Sequence, residues 1–122
     1  MMILIAGPYR SGTNNDPKLI QRNMDKLESY ALPIFRKGHV PMIGEWVANP
    51  LIHLAGSKEV GDEIFQEIQY PVAHRLLTKC DAVLRIEGES KGADMDVEVA
   101  KKLGLKVFYS LDDIEEVNLD HL

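Results

Sequence analysis

The chain reads as an α/β protein, a three-layer sandwich built on a mainly parallel sheet of four to five strands. Three observations predict this. Short, largely apolar runs recur along the sequence and fit strands buried on both faces. Between them lie longer stretches with apolar residues at helical spacing. The two kinds of segment alternate, which calls for crossover connections and hence a parallel sheet.

Met2-Ile3-Leu4-Ile5-Ala6 is the first such run and stops at Gly7-Pro8. The following loop, 7–15, is rich in Gly, Ser, Thr and Asn. Asp16-Pro17 then supplies an N-cap oxygen and a proline at the first helical position. Ile20, Met24, Leu27, Ala31 and Ile34 continue the helical spacing, and Lys37-Gly38 stops it. Pro33 lies inside this stretch, so a kink or break is expected near Tyr30. His39 to Ile43 is the second strand, placed at an edge by Pro41. Asn49-Pro50 punctuates the segment that follows. A helix is predicted from Asp62 to Lys79, interrupted or kinked by Pro71. Asp81 to Ile86 is the third strand, a helix runs from about Asp94 to Leu103, and Leu105 to Tyr109 is the fourth strand. The acidic tail is expected to form a short helix or to fray. By analogy with flavodoxin-like sheets the expected strand order is 2-1-3-4. Ligands of such sheets bind beyond the carboxyl ends of the strands where the order reverses. That point exposes the loops 7–15 and 87–92.

A length of 122 residues suits one domain spanning the chain. The net charge of −5 lacks the clustered cations that a nucleic-acid backbone demands. An anionic small molecule needs only backbone N–H groups and one or two cations, so it stays open. Cys80 is the single cysteine, which excludes an internal disulfide and fits a reducing, cytoplasmic setting. No run approaches the roughly 20 apolar residues of a membrane span, so no membrane partner is expected. His39, His53, His74 and His121 are scattered without ligand spacing, and no metal is expected. Cys80, just before a strand, reads as a core residue.

The helix after Gly92 contains an anomaly. At about 100° per residue, Met95, Val99 and Leu103 share one stripe with Ala100 at its margin, and Asp96 falls within that stripe. Asp94 and Glu98 point to the opposite, polar side. A carboxylate on a buried face is costly unless it is paired, hydrogen-bonded or used in chemistry. Asp96 also falls in the first helical turn, where a cap or a bond to a neighbouring loop would explain it equally. Gly88-Glu89-Ser90-Lys91-Gly92 offers backbone amides, a hydroxyl and a cation to an anion, or is a solvated turn. In Gly7-Pro8-Tyr9-Arg10, Arg10 suits a phosphate or carboxylate and Tyr9 either stacks on a base or donates its hydroxyl, or the segment is an ordinary loop with one exposed Arg. Trp46, beside Glu45, is either core or a wall for a base.

Three pieces occur in one order: Gly7-Pro8-Tyr9-Arg10, then Cys80-Asp81-Ala82-Val83, then the run from Ser90-Lys91-Gly92-Ala93 through Asp96 to Ala100, ahead of Gly104. As a set they resemble the nucleoside 2-deoxyribosyltransferase superfamily, which includes nucleoside-monophosphate N-glycosidases, and its small bacterial and phage branch most of all. The resemblance implies a flavodoxin-like fold, no cofactor, a nucleoside or nucleotide as the small-molecule partner, and a homo-oligomer. It implies that a carboxylate acts at the anomeric carbon. By spacing this is Asp96, with Glu98 the substitute if the helix is rotated; Tyr9, beside the base, is the third candidate catalytic residue. The two loops, through Gly7, Tyr9, Arg10, Ser90 and Gly92, would contact the sugar or its 5′-phosphate. Read from the residues themselves, Pro8 and Lys91 in the same loops and Glu45 and Trp46 near the base complete the candidate substrate-binding set. Two positions depart from the family pattern. Asp96 stands where a glutamate is usual, and Ala73 stands where an aspartate is common, with Tyr70 or His74 as substitutes. A nucleotide-binding sensor without turnover is the alternative. A phospho-receiver would need acidic residues after the first strand, where this chain has Gly-Pro-Tyr-Arg.

Overall fold

The computed structural model describes residues 1–119, so His121 and the end of the acidic tail lie outside the described residues. Four parallel strands, β1 (Met2–Ala6), β2 (Val40–Met42), β3 (Ala82–Arg85) and β4 (Lys106–Phe108), form one sheet in the order β2-β1-β3-β4. This is the expected 2-1-3-4 arrangement, and the fold is an α/β sandwich of the flavodoxin-like kind. Leu4 lies opposite Met42 on one side and Val83 on the other. Pro41 costs little because β2 is an edge strand.

Side chains alternate across a strand, and β1 shows it directly. Ile3 and Ile5 enter a core with Leu27, Ile34, Ile43, Leu84 and Ile86. Leu4 and Ala6 enter another with Leu77, Val83, Ala93, Ala100 and Cys80. Helices α1 (Pro17–Ser29) and α2 (Ala31–Arg36) contribute to the first core, while α4 (Glu63–Leu77) and α5 (Lys91–Lys102) contribute to the second. Helix α3 (Gly44–Leu54) packs on α4 through Ala48, Ile52 and Val72. None of these helices is long and apolar enough to cross a membrane, among the described residues.

The helix break falls at Tyr30, which is both the last cap of α1 and the first of α2. Asp16 caps α1 by accepting the Lys18 N–H at 2.9 Å. Gly38 ends this unit at φ +93°, where a Cβ would come within 2.2 Å of the Val117 carbonyl oxygen. Three expectations need correction. Neither Pro50 nor Pro71 breaks its helix: both lie inside continuous α3 and α4. The Asp62 cap, which accepts from Ile64 and Phe65, and the α3–α4 packing outweigh the one backbone bond each proline removes. Helix α5 starts at Lys91, capped by Ser90, so Asp96 belongs to its second turn. Its buried face is Ala93, Val97 and Ala100, while Met95 and Leu103 are exposed. The tail forms a 3-10 turn at Leu111–Asp113 and then packs on the sheet edge: Ile114 is buried, and the Val117 N–H donates to the Lys37 carbonyl at 2.8 Å.

Candidate functional site

A cleft of about 80 Å³ opens at the carboxyl ends of β1 and β3, the point where the strand order reverses. The β1 loop supplies Gly7, Tyr9, Arg10 and Ser11. Helix α3 supplies Glu45, and α4 supplies Gln69, Tyr70 and Ala73. The start of α5 closes the cleft with Ser90, Gly92, Ala93 and Asp96. A wider groove of about 840 Å³ shares Arg10, Ser90 and Gly92 with the cleft and continues past Pro8, Asn14, Lys26 and Lys91.

Local chemistry explains each placement. Gly7 lets β1 pass its neighbour closely, because a Cβ there would stand 2.3 Å from Ile86 Cγ1. The Tyr9 carbonyl accepts from Asn23 Nδ2 at 2.8 Å, and its hydroxyl oxygen accepts from Asn49 Nδ2 at 3.1 Å. Burial pushes the Tyr9 phenol up, and the Asn49 hydrogen bond opposes that shift. The Arg10 guanidinium lies 5.3 Å from the centre of the Phe65 ring. Ser90 Oγ accepts the Ala93 N–H at 3.1 Å, satisfying one amide at the start of α5. A helix leaves its other first amides without an internal acceptor, which suits an anion.

Two carboxyls set the electrostatics. Asp96 is pushed up to about 7, by burial first and by the charge of Glu45 second, against the opposing pull of Arg85. Glu45 is pushed up to about 7 by burial. Arg85 is itself committed to Asp94, donating from Nη2 to Oδ1 at 3.0 Å. Among the described residues, four buried side-chain atoms lack a hydrogen-bond partner: Arg10 Nε, Gln69 Oε1, His74 Nε2 and Asp96 Oδ1. Three belong to cleft-lining residues, and the fourth stands 3.5 Å from Asp96 Oδ1. Buried polar atoms without partners are uncommon and cost roughly 1–3 kcal/mol each. Their convergence makes this cleft the candidate site for a polar ligand.

The fold thus brings Gly7, Tyr9, Arg10, Glu45, Ser90, Gly92 and Asp96 together. Pro8 and Lys91 lie on the outer groove instead. Trp46 is not among the cleft residues: it is partly exposed and its Nε1 donates to Glu28 Oε2 at 2.8 Å. It therefore offers no wall to a base in this cleft. Glu98 is on the solvent face of α5, 3.8 Å from Lys101, and so cannot replace Asp96. The sequence reading missed Gln69 and Asn49 and gave no site role to α4 beyond two substitutes. The signal was present: Gln69, Tyr70, Ala73 and His74 recur at the spacing of one helical face.

No protein-family model, curated protein or solved structure matches the chain.

Proposed function

We propose that the protein cleaves or exchanges the N-glycosidic bond of a nucleoside or nucleoside 5′-monophosphate. The observation that carries this reading is the pair of carboxyls, Asp96 and Glu45, that share one cleft and ionise near neutrality. Two carboxyls that both titrate near pH 7 in one cleft are in part singly protonated there. One is then an acid and the other an anion, which is the division of labour that glycosidic cleavage needs.

In this scheme Asp96 is the anion at the moment of cleavage: the Glu45 charge favours a proton on Asp96 in the free protein, and the positive charge developing on the sugar beside Asp96 favours its ionised form instead. As the bond between the anomeric carbon and the base nitrogen breaks, its electron pair leaves with the base and positive charge develops on the sugar. Asp96 stabilises that charge or bonds to the anomeric carbon. Glu45 gives its proton to the departing base. Water, or a second base, then takes the sugar, and the proton it sheds returns to Glu45. Arg10, Ser90 and the first amides of α5 hold the 5′-phosphate or the sugar hydroxyls. The outer groove has room for the portion of the ligand that a cleft of about 80 Å³ excludes.

Self-association belongs to the same proposal. Helix α3 is apolar around most of its circumference. Gly44, Ala48 and Ile52 are buried, yet Trp46, Val47, Leu51 and Leu54 are exposed, Leu54 by 79%. Exposed apolar side chains gathered on one helix are normally covered by another surface, and a second copy of the chain is the occupant we infer.

The test is incubation with ribo- and deoxyribonucleosides and their 5′-monophosphates, with released base followed by chromatography. Base release from at least one substrate, lost in Asp96→Asn, is the expected result. Binding across the panel without release would replace the enzyme by a nucleotide sensor.

A further inference from the structure

We propose that His74 is a positioning residue for Asp96, its Nε2–H holding Oδ1 so that the other carboxyl oxygen faces the cleft. The inference rests on the proposed reaction for its activity readout and on geometry alone for the rest. His74 projects from α4 and Asp96 from α5, two helices that pack against each other. Nε2 and Oδ1 are 3.5 Å apart, and each is sealed from solvent without any other hydrogen-bond partner. Because Oδ1 is sealed, the 13% exposure left to the Asp96 side chain belongs to its remaining atoms. The carboxyl is therefore oriented, with Oδ1 turned inward to α4 while the rest of the side chain borders the cleft.

The separation is longer than a good hydrogen bond, and the contact does not meet hydrogen-bond geometry. Contacts of this kind in empty sites commonly tighten when the site is filled. Leaving a buried donor and a buried acceptor face to face and unbonded is unfavourable for both, so the pair is poised to close when a ligand fixes the other carboxyl oxygen. Ala73, one residue earlier, leaves space on the same helix face where a larger side chain would crowd the cleft. The charged and titratable groups around Asp96 are Glu45 from α3, Arg85 from β3, His74 from α4, and Tyr9, Arg10 and Tyr70 along the cleft. Of these, His74 is the one whose nitrogen stands within 4 Å of an Asp96 oxygen, among the described residues.

The test compares His74→Leu, which keeps the site filled but removes the donor, with His74→Gln, which retains a side-chain N–H. The titration of the Asp96 carboxyl carbon is followed by NMR and assigned by its loss in Asp96→Asn. Removing a donor from a carboxylate disfavours its charged form. The midpoint in His74→Leu should therefore rise by about one pH unit, and His74→Gln should return most of the way to wild type. The acid limb of base release should move with it, giving about a tenfold loss one unit below the wild-type midpoint. A midpoint unmoved in His74→Leu overturns the proposal, whatever happens to activity. A raised midpoint in a protein that releases no base upholds the His74–Asp96 pair and removes the glycosidic reading instead. If His74→Leu does not fold, His74→Gln and His74→Asn decide: a donor at the reach of Gln but not of Asn should leave the Gln midpoint near wild type and raise that of Asn, and identical midpoints in the two variants overturn it.

Discussion

Glu45 raises the proton affinity of Asp96 across the cleft, from a different helix and 51 positions earlier in the chain. Burial acts on both in the same direction and holds each carboxyl at about 7. Such a pair is unfavourable for folding above neutrality and useful to chemistry at neutrality. That conflict yields a measurable consequence for stability.

Both carboxyls bind protons more tightly in the folded chain than in the unfolded one, where their ordinary values are 3.8 and 4.5. Their contribution to stability is full below about pH 4, falls as pH rises, and is lost above about 7. Asn at position 96 imitates the protonated form at every pH. Asp96→Asn should accordingly stabilise the protein at pH 8 by about 1–3 kcal/mol and change little at pH 4. Urea titrations at the two pH values check this, and a variant less stable at pH 8 would contradict the assigned burial.

Activity should separate the three acidic residues. Asp96→Asn should lower kcat by at least about 10³-fold, since it removes the group acting at the anomeric carbon. Glu45→Gln, which removes the proton donor, should cost about 10²-fold, and less on substrates whose base leaves easily. Glu98→Gln should behave as wild type, because Glu98 faces solvent beside Lys101. The wild-type rate should pass through a maximum near pH 7, its two limbs reporting the carboxyl pair jointly rather than either residue. Steady-state kinetics on all three variants test the assignment.

The topology was legible in the sequence because each strand is a compact apolar run bounded by Gly, Pro or Asp. Asp96 was legible for a sounder reason than the stripe that suggested it. The stripe was misplaced: Met95 and Leu103 are exposed, and Val97, counted in no stripe, is buried. The face was centred on Met95, Val99 and Leu103 instead of on Ala93, Val97 and Ala100, and Asp96 borders both, so it keeps its inward aspect. Glu45 was chosen only as the neighbour of Trp46, and the two part company on α3. Glu45 turns to the cleft, whereas Trp46 turns to Glu28. The spacing of Gln69, Tyr70, Ala73 and His74 marks one face of α4, but no local pattern says that this face meets the β1 loop. Pro50 and Pro71 misled because a proline reports a lost hydrogen bond, and only the surrounding packing decides whether the helix survives it.

The exposed side of α3 predicts a concentration-dependent dimer. Leu51 and Leu54 lie on that side, away from the buried Ala48 and Ile52. Leu51→Glu combined with Leu54→Glu should place two like charges on each copy and weaken association by at least about tenfold. Sedimentation equilibrium on the wild type and the double variant measures this. A wild type that remains monomeric at high micromolar concentration would exclude a second copy from this face.

Two glycines that look equivalent in the sequence should respond in opposite ways to alanine. At Gly7 the new Cβ would meet Ile86 at Cγ1, 2.3 Å away, and Leu27 Cδ2 at 3.2 Å. Cγ1 lies next to the Ile86 Cβ, on a buried side chain in the first core, and has little freedom to yield. Gly7→Ala should cost about 1–3 kcal/mol through overpacking and displace the β1 loop that carries Tyr9 and Arg10. At Gly44 the nearest atom would be the Ala73 Cβ at 3.7 Å, an ordinary van der Waals contact, and the residue is helical. Gly44→Ala should be neutral or stabilise by up to about 1 kcal/mol, because it narrows the unfolded ensemble at no steric cost. Denaturant midpoints for the two variants, compared at equal slope, decide the matter. Equal losses at both positions would mean that the close passage of β1 past Ile86 does not constrain the fold as described.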